Sequence, residues 1–563
     1  MVKRISLGYS DFKRTVEDNY YFVDKTLFIK EVVEDGSAVI LLPRPRRFGK
    51  SMNMSMLKCF FEKTEESNGE LFKDLKIYSD KEIMKKQGQY PVIFITFKDE
   101  KYSKWEFCET GLRKIIKDEF AKHRYILKSD ILDPFEKEEF IKILEEKADY
   151  VTYLRGLKIL SNYLYRFYKQ KVVILIDEYD VPIQSGYLNG YYDEIIEFMR
   201  NFLSAGLKDN ENLEKGILTG ILTGILRVAK ESIFSGLNNI NVCTILSSEY
   251  SEYFGFTEEE VEETLKYYGI EANMEELTNW YNGYIFGDRV IYNPWSVLNY
   301  VKRWKDGFKP YWTNTSSNDL VKTLVTKGGA DLKGDLEELI KGRSIEKRIN
   351  EDIVMGEIDK NTENVWSFLL FSGYLKVVKK RIDMGEMYCN LSIPNMEVNY
   401  LYRQIILGWF KESINNDKFN IMLKSLVTGD IKTFGKILKD FVKNSMSYFD
   451  AAGSESEKVY HAFVLGMLLG LGDNYEVKSN RESGYGRYDV MVIPKDISKI
   501  GIVIEFKKVD EDDEEDLEKA ADSALKQIRD KDYKSELIEK DIKNIIELGI
   551  AFEGKKVLVK ENV

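Results

Sequence analysis

Two apolar runs, each leading into chemistry-bearing residues, constrain this chain most. Lys171-Val172-Val173-Ile174-Leu175-Ile176-Asp177-Glu178 shows no polar alternation, the mark of a strand buried on both faces of a helix-covered parallel sheet. Ser37-Ala38-Val39-Ile40-Leu41-Leu42 is a second such run; Pro43-Arg44-Pro45-Arg46-Arg47-Phe48-Gly49-Lys50-Ser51 follows it, then a helical pattern from Met52 to Leu57. Strand, loop and helix around Gly49-Lys50-Ser51 give the layout of a phosphate-binding loop, where backbone amides and a helix N-terminus hold phosphate oxygens. Lys50 is expected to reach the terminal phosphates and Ser51 to ligate Mg²⁺. Asp177 would hold the same ion through water, and Glu178 would orient or deprotonate an attacking water. The usual first glycine is replaced by Arg44, and the flanking prolines fix φ and remove amide donors. Gly-Lys-Ser alone is a weak signal. The acid-ended strand strengthens it.

Tyr90–Phe97 and Asn241–Leu246 are further strand-like runs alternating with helical stretches, which implies a parallel sheet wrapped by helices. Arg227 follows another strand-like run and reads equally as a sensor of the terminal phosphate or as a structural ion pair. Before it, Gly216-Ile217-Leu218-Thr219 and Gly220-Ile221-Leu222-Thr223 form a tandem repeat. An even-numbered repeat preserves the facing of side chains in a strand.

Near the other end, Asp489-Val490-Met491-Val492-Ile493 and Ile502-Val503-Ile504-Glu505-Phe506-Lys507 read as two buried strands joined through Pro494 and Lys495–Lys499. Symmetric pairing about that turn places Asp489 opposite Glu505. Glu505 and Lys507, two apart, share a face of the pleat. Two carboxylates and an ammonium around one point suit Mg²⁺, which takes one or two protein carboxylates plus waters and substrate phosphate. On the residues alone, an ion pair across a hairpin accounts for the triad equally well.

Composition narrows the class. At 563 residues the chain exceeds a single core, and three or four domains are expected. The four cysteines form no CxxC, and only two histidines are present, so zinc sites, disulfide frameworks and histidine triads are not indicated. No run reaches the ~18 apolar residues that span a bilayer, and the start lacks a signal-peptide core; a cytoplasmic protein without a membrane partner is expected. A net charge of −11 argues against a globally basic nucleic-acid binder. Part of that charge is the acidic run Asp510–Asp516, read as a solvated loop between strand and helix.

Between the two ends, Phe256 to Met446 is mainly helical in pattern. Trp280-Tyr281-Asn282-Gly283-Tyr284 and Tyr292-Asn293-Pro294-Trp295-Ser296 read as loops closing onto a helix, with Ser296 or Asn293 near its cap. Their aromatic residues fit buried packing better than base stacking. Val365–Val378 followed by Leu391–Asn395 reads as helix, turn and strands, resembling a winged-helix module.

The pattern Asp489, Glu505, Lys507 resembles that of the PD-(D/E)XK nuclease superfamily, and the flanking Ser479–Asp489 looks like the C-terminal domain of predicted AAA-ATPase-like proteins fused to such a fold. That resemblance implies a further metal-binding carboxylate on a preceding helix, matched by Glu457, and a glutamine on a following helix, matched by Gln527. Tyr21–Thr26, Arg44–Ser51, Ile176–Asp180 and Thr223–Asn239 are similar to the predicted AAA-ATPase-like proteins that carry such a nuclease fold at their C-terminus; Arg44 belongs to their pattern. The expected fold class is α/β. Residues 1–255 would form a P-loop NTPase parallel sheet with helices, 256–446 a mainly helical, winged-helix-like region, and 447–563 a restriction-endonuclease-like α/β domain. The expected function is an ATP-binding, ATP-regulated, Mg²⁺-dependent nuclease. Asp489, Glu505, Lys507, Gln527 and Glu178 would be catalytic; Gly49, Lys50, Ser51, Asp177 and Arg227 would bind nucleotide; Glu457, Asp489, Glu505, Ser51 and Asp177 would hold metal. ATP and a nucleic acid, DNA first, are the implied partners, with self-association open. The alternative is an ATP-driven oligomerising switch whose nuclease fold only binds nucleic acid or protein.

Overall fold

The computed structural model describes every residue except 1, 209, 214–219, 226–239, 314–317, 328–329, 341, 354, 359–360, 414–415, 446–463, 465–466, 484–485, 510–515, 554–555 and 563. The chain divides into two compact units, Met1–Leu320 with Glu346–Val398, and Val321–Ile345 with Asn399–Val563. The segment 1–255 lies wholly in the first, 447–563 wholly in the second, and 256–446 supplies residues to both.

The first unit is built on a five-stranded sheet of order β2-β3-β4-β1-β5, from β1 (Val39–Pro43), β2 (Val92–Thr96), β3 (Val173–Asp177), β4 (Gly220–Gly224) and β5 (Ile240–Val242). Every pairing is parallel. All five residues of β1, β3 and β4 are buried, which is why their sequences carry no alternation. The two motif-bearing strands are not neighbours. β4, the second copy of the Gly-Ile-Leu-Thr repeat, lies between them and brings Thr223 beside the acid end of β3; the first copy, 216–219, lies outside the described residues.

Around the aromatic strings, β6 (Tyr284–Phe286) and β7 (Arg289–Ile291) form a short antiparallel ribbon. The helix Pro294–Lys302 is capped by Asn293, whose side chain accepts the Ser296 N–H at 3.1 Å, with Pro294 in its first turn. Tyr281, Tyr284 and Tyr292 are buried as expected. Trp295 is half-buried, packed against the core of Tyr281 and Tyr292 while also lining a cavity. The helix Thr362–Phe371 leads into an antiparallel hairpin of β9 (Lys376–Asp383) and β10 (Glu386–Ser392); with β8 (Ile345–Ile349) these make a sheet of order β8-β10-β9.

The second unit holds a mixed sheet of order β11-β12-β13-β14-β15, from β11 (Tyr475–Ser483), β12 (Gly486–Pro494), β13 (Gly501–Lys508), β14 (Ile545–Glu553) and β15 (Lys556–Glu561). Only β13 and β14 pair in parallel; the other pairings are antiparallel. Alternation along the strands sorts side chains onto two faces. Val490, Val492, Ile502, Ile504 and Phe506 join one core with Phe434 and Leu438 of the helix Ile431–Ser445. Met491, Ile493 and Val503 join another with Leu525 and Ile528 of the helix Leu517–Asp530. Glu505 and Lys507 stand on this second face.

Candidate functional site

In the first unit, the loop after β1 turns into the helix Lys50–Phe61 through Gly49, whose φ of 87° is left-handed and suits glycine. No atom lies within 4 Å of where a Cβ on Gly49 would stand, so the loop presents its backbone to open space. Lys50 is buried, and its Nζ donates to the carbonyl oxygens of Arg44 (3.0 Å) and Pro45 (3.1 Å). The Ser51 hydroxyl donates to Asp177 Oδ2 at 2.7 Å, and the Thr223 hydroxyl donates to Asp177 Oδ1 at 2.7 Å. Ser51 and Asp177, expected to share one cation, are thus brought together from distant segments.

Glu178 follows with φ 53°, a conformation non-glycine residues adopt at a cost of order 1 kcal/mol and one that clusters at functional positions. Burial raises its carboxyl above the ordinary value, opposed by the Lys50 ammonium. Burial likewise lowers Lys50, opposed by Glu178, Asp180 and Asp177. Lys50, Glu178 and Asp180 border a cavity of about 520 Å³. Lys50, Ser51 and Glu178 line it, and so do Tyr9, Tyr21 and Trp295. Arg44 does not face it. The guanidinium is fully buried, donates to the carbonyls of Pro43 (2.9 Å) and Cys243 (2.6 Å), and lies 5.1 Å from the Phe254 ring. Arg44 therefore stiffens the loop from behind, in the place where a glycine is usual. Arg227 lies outside the described residues.

In the second unit, β12 and β13 pair with Val490 opposite Ile504 and Val492 opposite Ile502, the register that puts Asp489 across from Glu505. Main-chain bonds lock the acids in place: Asp489 N–H donates to Glu505 Oε2 at 3.3 Å, and Phe506 N–H donates to Asp489 Oδ2 at 2.8 Å. Lys507 Nζ lies 3.7 Å from Glu505 Oε1 and donates to Gln527 Oε1 at 2.7 Å. Gln527 Nε2 in turn donates to Glu505 Oε1 and, at 3.2 Å, to the Tyr533 hydroxyl. Glu505 is 2% exposed, and its carboxyl is pushed up to about 8, first by burial and then by the Asp489 carboxylate, with Lys507 opposing. Asp489, Glu505, Lys507 and Gln527 therefore form one cluster. Glu457 lies outside the described residues, and among the described residues no group of three His, Cys, Asp or Glu side chains could hold a metal. Two adjacent carboxylates still fit Mg²⁺, which keeps several waters.

Several contributors carry no role in the motif reading. Thr223 sits in an apolar run and gains its role only when β4 inserts beside β3. Tyr533 has no motif. Gly549 pairs with Glu505 across β13 and β14. A Cβ there would stand 2.4 Å from the Ala521 carbonyl oxygen, so its absence lets the Gln527 helix approach the strand.

The two ends of the chain match two known families. Residues 6–234 match the family model described as Predicted AAA-ATPase. Residues 455–562 match that of the PD-(D/E)XK nuclease superfamily. Among curated proteins, the "Uncharacterized protein in vnfD 5'region" of Azotobacter chroococcum mcd 1 is 25% identical over 548 residues, covering 94% of this chain and 93% of that protein. The likeness spans both matched regions and the stretch between them. No helix among the described residues is long and apolar enough to cross a membrane.

Proposed function

We propose that the protein is a nucleotide-binding, metal-dependent nuclease that cleaves phosphodiester bonds of a nucleic acid at Asp489, Glu505 and Lys507, under the control of ATP bound by its first unit. The convergence of these three residues with Gln527 carries the reading, because a surface ion pair has no need of a second carboxylate or a glutamine clamp. Asp489 and Glu505 would hold a divalent cation. When bound, that ion supplies positive charge to the phosphate and lowers the pKa of a water. Lys507, held by Gln527, places an ammonium beside the carboxylates, where it can orient water or offset charge developing on phosphate oxygens. In the first unit, Gly49, Lys50 and Ser51 would receive the triphosphate, Asp177 would hold its cation with Ser51, and Glu178 would direct a water.

A cleavage assay on duplex and single-stranded DNA and RNA, with and without Mg²⁺ and ATP, tests this. Cleavage is expected only with the metal, and Glu505→Ala and Lys507→Ala should abolish it while nucleic acid still binds. Binding without metal-dependent cleavage on any substrate would instead favour a switch whose nuclease fold only binds.

A further inference from the structure

Arg46 is a cation of the phosphate loop for which neither motif accounts. It lines the same cavity as Lys50, Ser51 and Glu178. Among the described residues its guanidinium has one hydrogen-bond partner: Nη2 donates to Gln184 Oε1 at 3.0 Å. That partner is a neutral amide; the Glu178 carboxylate of the same cavity feels the Arg46 charge at a distance. A guanidinium carries five N–H donors, so the Gln184 bond aims the group without neutralising it.

Gln184 is itself fixed. It is 8% exposed, and its Nε2 donates to Asp180 Oδ2 at 2.9 Å. The same oxygen accepts the Ile225 N–H at 2.9 Å, just beyond β4. Arg46 is also held by its main chain, because Trp312 Nε1 donates to its carbonyl oxygen at 3.1 Å. The other two arginines of the loop are engaged differently. Arg44 is buried on carbonyl oxygens, and Arg47 lies 4.3 Å from the Trp295 ring.

The geometry points to Arg46 as the residue that binds the terminal phosphate of a nucleoside triphosphate, with Gln184 as the positioning residue that aims it. The assignment rests on the nucleotide-binding reading above. A guanidinium engages a phosphate group by paired, charge-assisted N–H···O bonds. A diphosphate places no phosphate at that point, so Arg46 makes the pocket distinguish triphosphate from diphosphate with residues of one chain.

Calorimetric titration of the full-length protein with AMP-PNP and with ADP, both with Mg²⁺, tests this. Arg46→Ala should weaken AMP-PNP by about tenfold to a hundredfold and ADP by less than about threefold. Arg46→Lys should recover part of the loss, since it keeps charge without the fork. Gln184→Leu should shift the ratio in the same direction by a smaller factor. Where Arg46→Ala fails to fold, Arg46→Lys and Gln184→Leu carry the test through the same ratio. Equal weakening of both nucleotides, or an unchanged ratio, overturns the assignment while leaving nucleotide binding intact. Wild-type protein that binds neither nucleotide removes both readings.

Discussion

Glu505 is held between two demands. Burial beside Asp489 keeps its proton on to about pH 8, whereas a carboxylate must lose that proton to hold a cation. If Glu505 holds Mg²⁺ as proposed, binding would release that proton, and the apparent Mg²⁺ affinity should rise about tenfold per pH unit up to about pH 8 and then level off. Calorimetric titration with Mg²⁺ from pH 6 to 9 checks this, and Glu505→Gln should lose the pH dependence together with most of the affinity. Lys50 faces a similar conflict in the first unit, buried and bonded to the carbonyl oxygens of its own loop. If those bonds hold the ammonium ready for phosphate, Lys50→Ala should weaken AMP-PNP and ADP alike by at least about tenfold. That shared loss sets Lys50 apart from Arg46, which should act on the triphosphate alone.

Between elements, close approach is set by small residues and buried acceptors. Gly549→Ala would drive a methyl into the Ala521 carbonyl and push the Leu517–Asp530 helix outward. Overpacking of that kind costs about 1–3 kcal/mol. The variant should show a lowered melting temperature and slower cleavage, because Gln527 would withdraw from Lys507 and Glu505. In the first unit, Glu397 is wholly buried and accepts from the Ser296 hydroxyl and the Trp312 N–H. Burial raises its carboxyl to about 7, against those hydrogen bonds. The folded protein then keeps a proton that the unfolded chain releases above about pH 4.5, so this group's contribution to stability falls as pH rises through about 7. The full effect is on the order of 3 kcal/mol. Scanning fluorimetry from pH 5 to 8 should show wild type losing stability relative to Glu397→Gln, whose amide does not titrate.

At the scale of the whole molecule, one chain carries two compact units and two sites, and control of one by the other is a free-energy statement that can be measured. Saturating AMP-PNP should change the cleavage rate; an identical rate with and without it, in protein shown to bind it, would mean that the units work independently. The sequence by itself determined the motif-bearing strands and the residues at their ends. Fully apolar runs such as Val172–Ile176 and Val490–Ile493 can be stable only when buried, and acids, lysines and glycines at their edges are chemistry that local spacing reveals. Even the facing of Asp489 and Glu505 was legible, because a turn and a period of two fix register in a hairpin. Tertiary structure decided what reaches those residues from far along the chain. Thr223 meets Asp177 only because β4 inserts between the motif strands, Arg44 turns inward onto Cys243, and Gly549 admits the helix bearing Gln527. No periodicity encodes such meetings. They follow from strand order and packing distance, which are settled when the whole chain buries its apolar surface at once.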